Sequence, residues 1–184
     1  MRFALFVAIL LFCIVIGVIG AEVDTSANKL AKTAANTIAA CDVWAYVIDQ
    51  DPKGLNVRSG PGSGFGVIGN LPKRYENGVG VHITGSSGDW VRIDSGVEEG
   101  GEERTFFQGV GWVYAPLLGI SGIGGGTPLY REASQKSRVI KRVPGDEHVN
   151  IKGCRGEWFY VEYEKVKGWA APSTLCSNPL TTCP

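Results

Sequence analysis

The chain has 184 residues, with 18 Lys and Arg against 18 Asp and Glu, so its formal net charge at pH 7 is +0. That balance argues against a nucleic-acid binder, which needs a basic face for phosphates, and no nucleic-acid partner is expected. Its 26 Gly and 9 Pro suit short strands and tight turns, in one domain of average size or two small ones.

Residues 3–21 carry no charge and follow Arg2. A short positive start, an apolar run, and Val18 and Gly20 ahead of Ala21 predict a signal peptide over residues 1–20. A retained anchor is the rival, because an uncharged run of this length is about enough to span a bilayer. A membrane contact is expected only if that segment stays uncleaved. Either way the bulk of the protein is placed outside the cytoplasm, periplasmic or secreted. Residues 21–42 read as a spacer, rich in Ala, Asn, Thr and Ser, and either a short helix or flexible. Order is expected to begin near Asp42-Val43-Trp44.

Beyond Val43 helix signals are scarce. Leu55-Asn56-Val57-Arg58 closes a short apolar strand, and Ser59-Gly60-Pro61-Gly62 turns after it. Val67-Ile68 follows. Val79-Gly80-Val81-His82-Ile83 and Trp90-Val91-Arg92-Ile93 alternate with period 2, as a half-buried strand does. Gly85-Ser86-Ser87-Gly88 separates them. Gly111-Trp112-Val113 ends this set, and Gly119 to Gly126 reads as a linker. The same order then returns as Leu129-Tyr130-Arg131, Val139-Ile140, Val149-Asn150-Ile151, Trp158-Phe159 and Gly168-Trp169-Ala170. Ile83 precedes Trp90 by the same interval as Ile151 precedes Trp158. A repeat of this kind sets the fold reading. Short strands with regular turns predict an all-β protein of two tandem small barrels, residues 43–119 and 126–184. The first copy is longer, mainly through the acidic stretch from Gly96 to Arg104. Of Phe106-Phe107 beside it, one ring is expected to point outward.

Cys41, Cys154, Cys176 and Cys183 follow the N-terminal segment. An even number outside the cytoplasm reads as disulfides, with three possible pairings. No CxxC is present, and no metal site is expected. His82 and His148 have no Cys or carboxylate placed around them for a metal or a triad, and each is expected to be a half-exposed strand residue. Gly64-Phe65-Gly66-Val67-Ile68-Gly69 fits GxGxxG, but Pro61 precedes it and Pro72 follows, where a dinucleotide loop must leave a strand and open a helix. No enzyme activity and no cofactor are expected.

Leu55 to Gly62, Val67-Ile68-Gly69, Gly88-Asp89-Trp90-Val91-Arg92-Ile93 and Gly111-Trp112-Val113 together resemble the bacterial SH3-like domain over residues 46–119. The second copy, about residues 126–177, keeps both Trp but has Tyr130-Arg131-Glu132-Ala133-Ser134 in place of the Asn-Val-Arg-Ser-Gly-Pro signature. The resemblance implies small barrels of about five strands, which bind peptides or the peptide stems of cell-wall murein and often accompany a cell-wall hydrolase. It implies that Arg58, Trp90, Tyr114 and Trp158 border the ligand grooves, and that Trp112 and Trp169 seal the cores. Tyr114 shares the strand face of Trp112 if that strand persists; if the strand breaks toward Pro116, Tyr114 lines the groove. Arg58 either contacts a ligand or braces the loop after it. Ala171 stands where the first copy has Tyr114, so the first barrel is expected to be the better binder. The same mapping implies the disulfides Cys154–Cys176 and Cys41–Cys183, with Cys176–Cys183 and Cys41–Cys154 as the alternative. The expected function is non-catalytic binding of peptidoglycan peptide or another peptide. The alternative is a protein–protein adaptor or inhibitor acting on a secreted or envelope partner, docking through Phe106-Phe107 and the acidic hairpin.

Overall fold

Alternating apolar residues pair into sheet wherever the sequence repeats them, and in a computed structural model strands account for nearly all regular structure. The structure describes residues 38–73, 78–100 and 104–178. The signal segment, most of the spacer and Cys183 lie outside these residues. In chain order the strands are β1 (Ala39–Val47), β2 (Leu55–Arg58), β3 (Val67–Leu71), β4 (Val79–Ser87), β5 (Trp90–Glu98) and β6 (Thr105–Tyr114). A 3₁₀ turn, Ala115–Leu117, leads to β7 (Leu118–Gly119) and β8 (Ser121–Gly122). The second set is β9 (Thr127–Tyr130), β10 (Val139–Val143), β11 (Asn150–Arg155), β12 (Trp158–Tyr163), β13 (Val166–Ala170) and β14 (Leu175–Cys176).

The first barrel is a seven-stranded sheet in the order β3-β2-β6-β5-β4-β1-β7, the second a five-stranded sheet in the order β10-β9-β13-β12-β11. Both copies use the same hairpin. Gly88 between β4 and β5 has φ 57°, and Gly156 between β11 and β12 has φ 54°. A positive φ at this point lets two residues reverse the chain, and glycine adopts it at no steric cost. The acid that follows, Asp89 or Glu157, then delivers the tryptophan to the start of the next strand.

Val81, Ile83, Val91, Ile93 and Val113 fill the first barrel, and Leu129, Val149, Ile151, Val161 and Ala170 fill the second, each fully buried. Full burial of one such Val, Ile or Leu stabilises by roughly 1.5–3 kcal/mol. The two interiors form one contiguous cluster, which includes Leu118 and Ile120. Ile120 is 0% exposed. The segment read as a linker does connect the copies, but its first half is built into them. Leu118 and Gly119 pair with β1, and Ser121 and Gly122 pair with β14.

β1 holds the copies together. It starts at Ala39, inside the stretch read as spacer, and pairs with β4 through a register shift between Ala40 and Val43. Cys41 and Asp42 occupy that bulge and face the second barrel. Gly156 donates its N–H to the Ala40 carbonyl (2.7 Å), and the Asp42 N–H donates to the Gly156 carbonyl (2.9 Å). Between these two bonds lies the disulfide Cys41–Cys154. This corrects the pairing that the resemblance implied. That mapping places Cys154 and Cys176 within the second copy alone, whereas β11 packs against β1 and brings Cys154 to Cys41. Cys176 is disulfide-bonded as well.

Phe107 settles into the wall of the first barrel. A Cβ on Gly69 would lie 2.8 Å from its Cδ2, and one on Gly111 would lie 2.8 Å from its Cζ. Both Phe106 and Phe107 pack against the core, so the outward ring expected from sequence is drawn in. Gly111→Ala would also bring its Cβ to 2.3 Å from Val57 Cγ1. We expect that substitution to cost about 1–3 kcal/mol by overpacking, measured as a lower urea midpoint. An unchanged midpoint would show that the slot yields.

Candidate functional site

A groove of about 650 Å³ opens on the first barrel. Three strand-derived side chains that sequence nominated line it: Arg58 at the end of β2, Trp90 at the start of β5 and Tyr114 at the end of β6. Leu117 from the 3₁₀ turn and Asp49 and Asp51 from the β1–β2 loop complete it.

Trp90 and Tyr114 are direct cross-strand partners. Their rings stand 5.4 Å apart between centroids with planes at 51°. A tilted pair of this kind presents a rigid apolar surface with an indole N–H and a phenol O–H at its rim. Tyr114 is 38% exposed. β6 does persist to Tyr114, which therefore shares the face of Trp112, and that face is the outer one. The two sequence alternatives for Tyr114 thus coincide. The Ala115 N–H donates to the Asp89 carbonyl (2.9 Å) and fixes this end of the groove to the β4–β5 turn.

Arg58 donates from Nη1 to the Phe65 carbonyl (2.7 Å). That bond braces the Gly- and Pro-rich loop, while the same side chain lines the groove. The two carboxylates are anchored by their own loop. Asp49 Oδ1 accepts from the Asp51 N–H (3.0 Å), and Asp51 Oδ1 accepts from the Lys53 N–H (2.9 Å). The groove therefore offers one aromatic platform, one guanidinium and two carboxylates. Its chemistry suits a short chain bearing both charges, held by stacking and charge-assisted hydrogen bonds. Asp49, Asp51 and Leu117 escaped the sequence reading, since they lie in connections where no periodicity marks a face. The only available signal was the Asp-Gln-Asp-Pro run, an ordinary turn composition.

The other nominated tryptophans have different surroundings. Trp112 is 5% exposed but lies opposite the core-facing Val113, in register with Arg58 on one side and Arg92 on the other. Trp169 is half-buried and does not seal a core; the fully buried Ala170 does that. Its outer-face position follows from the two-residue alternation of β13. Arg155 lies over its ring at 4.9 Å, and Tyr160 stands 5.0 Å away. Trp158 meets Tyr130 edge-on at 5.8 Å, and Ala171, which stands where the first copy has Tyr114, is buried, so the second barrel pairs its tryptophan with a ring from β9 instead of from the strand that follows. Among the described residues, no group of three or more His, Cys, Asp or Glu is placed to hold a metal ion.

A family model described as the bacterial SH3 domain matches residues 53–119 and 125–175. No curated protein matches the chain. Among solved structures, NlpC2 from Trichomonas vaginalis is 17% identical, with a TM-score of 0.29 over 76% of this chain and 48% of that one. NlpC1 from the same organism is 15% identical, with a TM-score of 0.30 over 77% and 48%. The chain spans about half the length of each of these two structures.

Proposed function

The chain belongs to the bacterial SH3 domain family, in two copies, and from that premise we propose that it is a non-catalytic binding protein whose first barrel holds the peptide part of the bacterial cell wall. One observation carries the reading: Trp90 and Tyr114 form a paired aromatic wall in a groove that also holds Arg58, Asp49 and Asp51. A murein stem peptide has short side chains and charged ends, and such a groove offers it stacking surface with both signs of charge. The second barrel is the weaker site, or serves as support, because Ala171 replaces the ring of Tyr114 and Trp158 meets Tyr130 edge-on instead. A disulfide joining β1 to β11 supports an oxidising, extracytoplasmic location.

The test is sedimentation with purified murein sacculi, together with titration of a labelled stem peptide. Trp90→Ala is expected to weaken binding about 30-fold, the loss of one buried aromatic anchor. Trp158→Ala is expected to change it little. Equal sedimentation of the wild type and Trp90→Ala would remove this groove from the site. No sedimentation of the wild type would overturn the murein reading and favour a protein partner.

A further inference from the structure

We propose that Asp42, His82 and Asp94 form a proton-operated clasp that fastens the β1 bulge, and through it the second barrel, to the wall of the first. The argument begins with the ring nitrogens of His82 on β4. Nδ1 lies 2.8 Å from Asp94 Oδ1 on β5, and Nε2 lies 2.9 Å from Asp42 Oδ1 on β1. An ionised carboxylate only accepts hydrogen bonds. A neutral imidazole has one N–H and one lone pair, so it can satisfy one of the two carboxylates and must point its lone pair at the other. Only the imidazolium, with two N–H donors, fits both contacts.

The surroundings favour the same form. Trp44 on β1 stacks on the ring, with centroids 5.1 Å apart and planes at 28°, and an indole face attracts a cation. Partial burial by itself lowers the His82 pKa, but hydrogen bonds and charge from Asp42 and Asp94 outweigh it and leave the pKa raised above 6.5. The charged groups acting on the ring are Asp42 from β1 and Asp94 from β5. Arg92, the nearby cation on β5, is turned to Thr84, donating to its carbonyl and hydroxyl oxygens.

Asp42 makes this pair of contacts more than a surface ion pair. Its side chain binds His82 in the first barrel, while its N–H donates to Gly156 in the second. The same bulge carries Cys41 and its disulfide to Cys154. The junction thus has two fastenings side by side, one covalent and one set by a proton. Because the folded state holds the His82 proton more tightly, the clasp contributes fully below pH 6.5. That contribution is lost as pH rises through the folded-state pKa.

The experiment uses the full oxidised chain between pH 5.5 and 9. Ring nitrogen shifts report the two histidines, and hydrogen exchange, corrected for intrinsic rate, reports the Asp42 amide. His82 is expected to titrate above 6.5 with both nitrogens protonated at neutral pH, while desolvation puts His148 below 6.5. Protection of the Asp42 amide should fall as His82 loses its proton, about tenfold for each unit by which its pKa exceeds 6.5. Asp94→Asn should lower the His82 pKa, and His82→Gln should flatten the pH dependence of the amide. A His82 titration at or below 6.5, or protection that is level across its titration, overturns the proposal. Both of those readings come from the wild type, so a variant that fails to fold leaves the test intact.

Discussion

Replacing Cys41 with serine and Cys154 with alanine is expected to lower the unfolding free energy by about 4 kcal/mol, a drop of roughly 2 M in the urea midpoint. The magnitude follows from the loop the bond closes. Cys41 and Cys154 are 113 residues apart in sequence. Joining points that far apart removes more freedom from the unfolded chain than a local bridge does. The substitution adds little cost of its own, since alanine at the 2%-exposed Cys154 introduces no polar group. The bridge that includes Cys176 remains in this variant, so the measurement isolates one bond. A loss below about 1 kcal/mol would mean that the bulge is held mainly by its neighbours.

Ile120→Ala is the second large effect, expected at about 2–5 kcal/mol, the range for a fully buried isoleucine cut to alanine. Ile120 lies between the copies, in a stretch whose glycines suggest a tether. A tether would tolerate the change with no measurable loss. Here its side chain is 0% exposed and belongs to the cluster that runs from Val43 to Ala170. Chemical denaturation of the variant should keep one transition at a lower midpoint. Two separated transitions would show that the barrels unfold independently and that Ile120 stabilises only one.

The features legible in sequence were those carried by local pattern. Alternation at Val79–Ile83 and Trp90–Ile93 located β4 and β5, and the repeated Gly-acid-Trp step located both hairpins. Arg58, Trp90 and Tyr114 were nominated and line one groove. What escaped was set by packing of one copy on the other. Ala39 to Cys41 lie in an alanine-rich run with no strand-like alternation, because a bulge breaks the period where β1 meets the second barrel. Cys154 gave no sign of its partner, since nothing near it in the chain encodes β1. Asp42 and His82 are separated by 40 residues, and neither lies in a motif. One ring of Phe106-Phe107 is expected outward from sequence, but the slot for Phe107 comes from missing side chains at Gly111, further along β6, and at Gly69 on β3. The resemblance places Trp169 in the core, although the two-residue period of β13 gives the interior to Ala170.

A tandem repeat whose copies stand apart can gain, lose or trade a copy during evolution, each being complete. The Gly156 turn gripping both sides of the β1 bulge removes that freedom. Cutting the chain after residue 119 would strip Cys41 of its bridge, the Ala40 carbonyl and the Asp42 N–H of their partners, and the end of the first core of Ile120. The two copies are therefore one heritable unit.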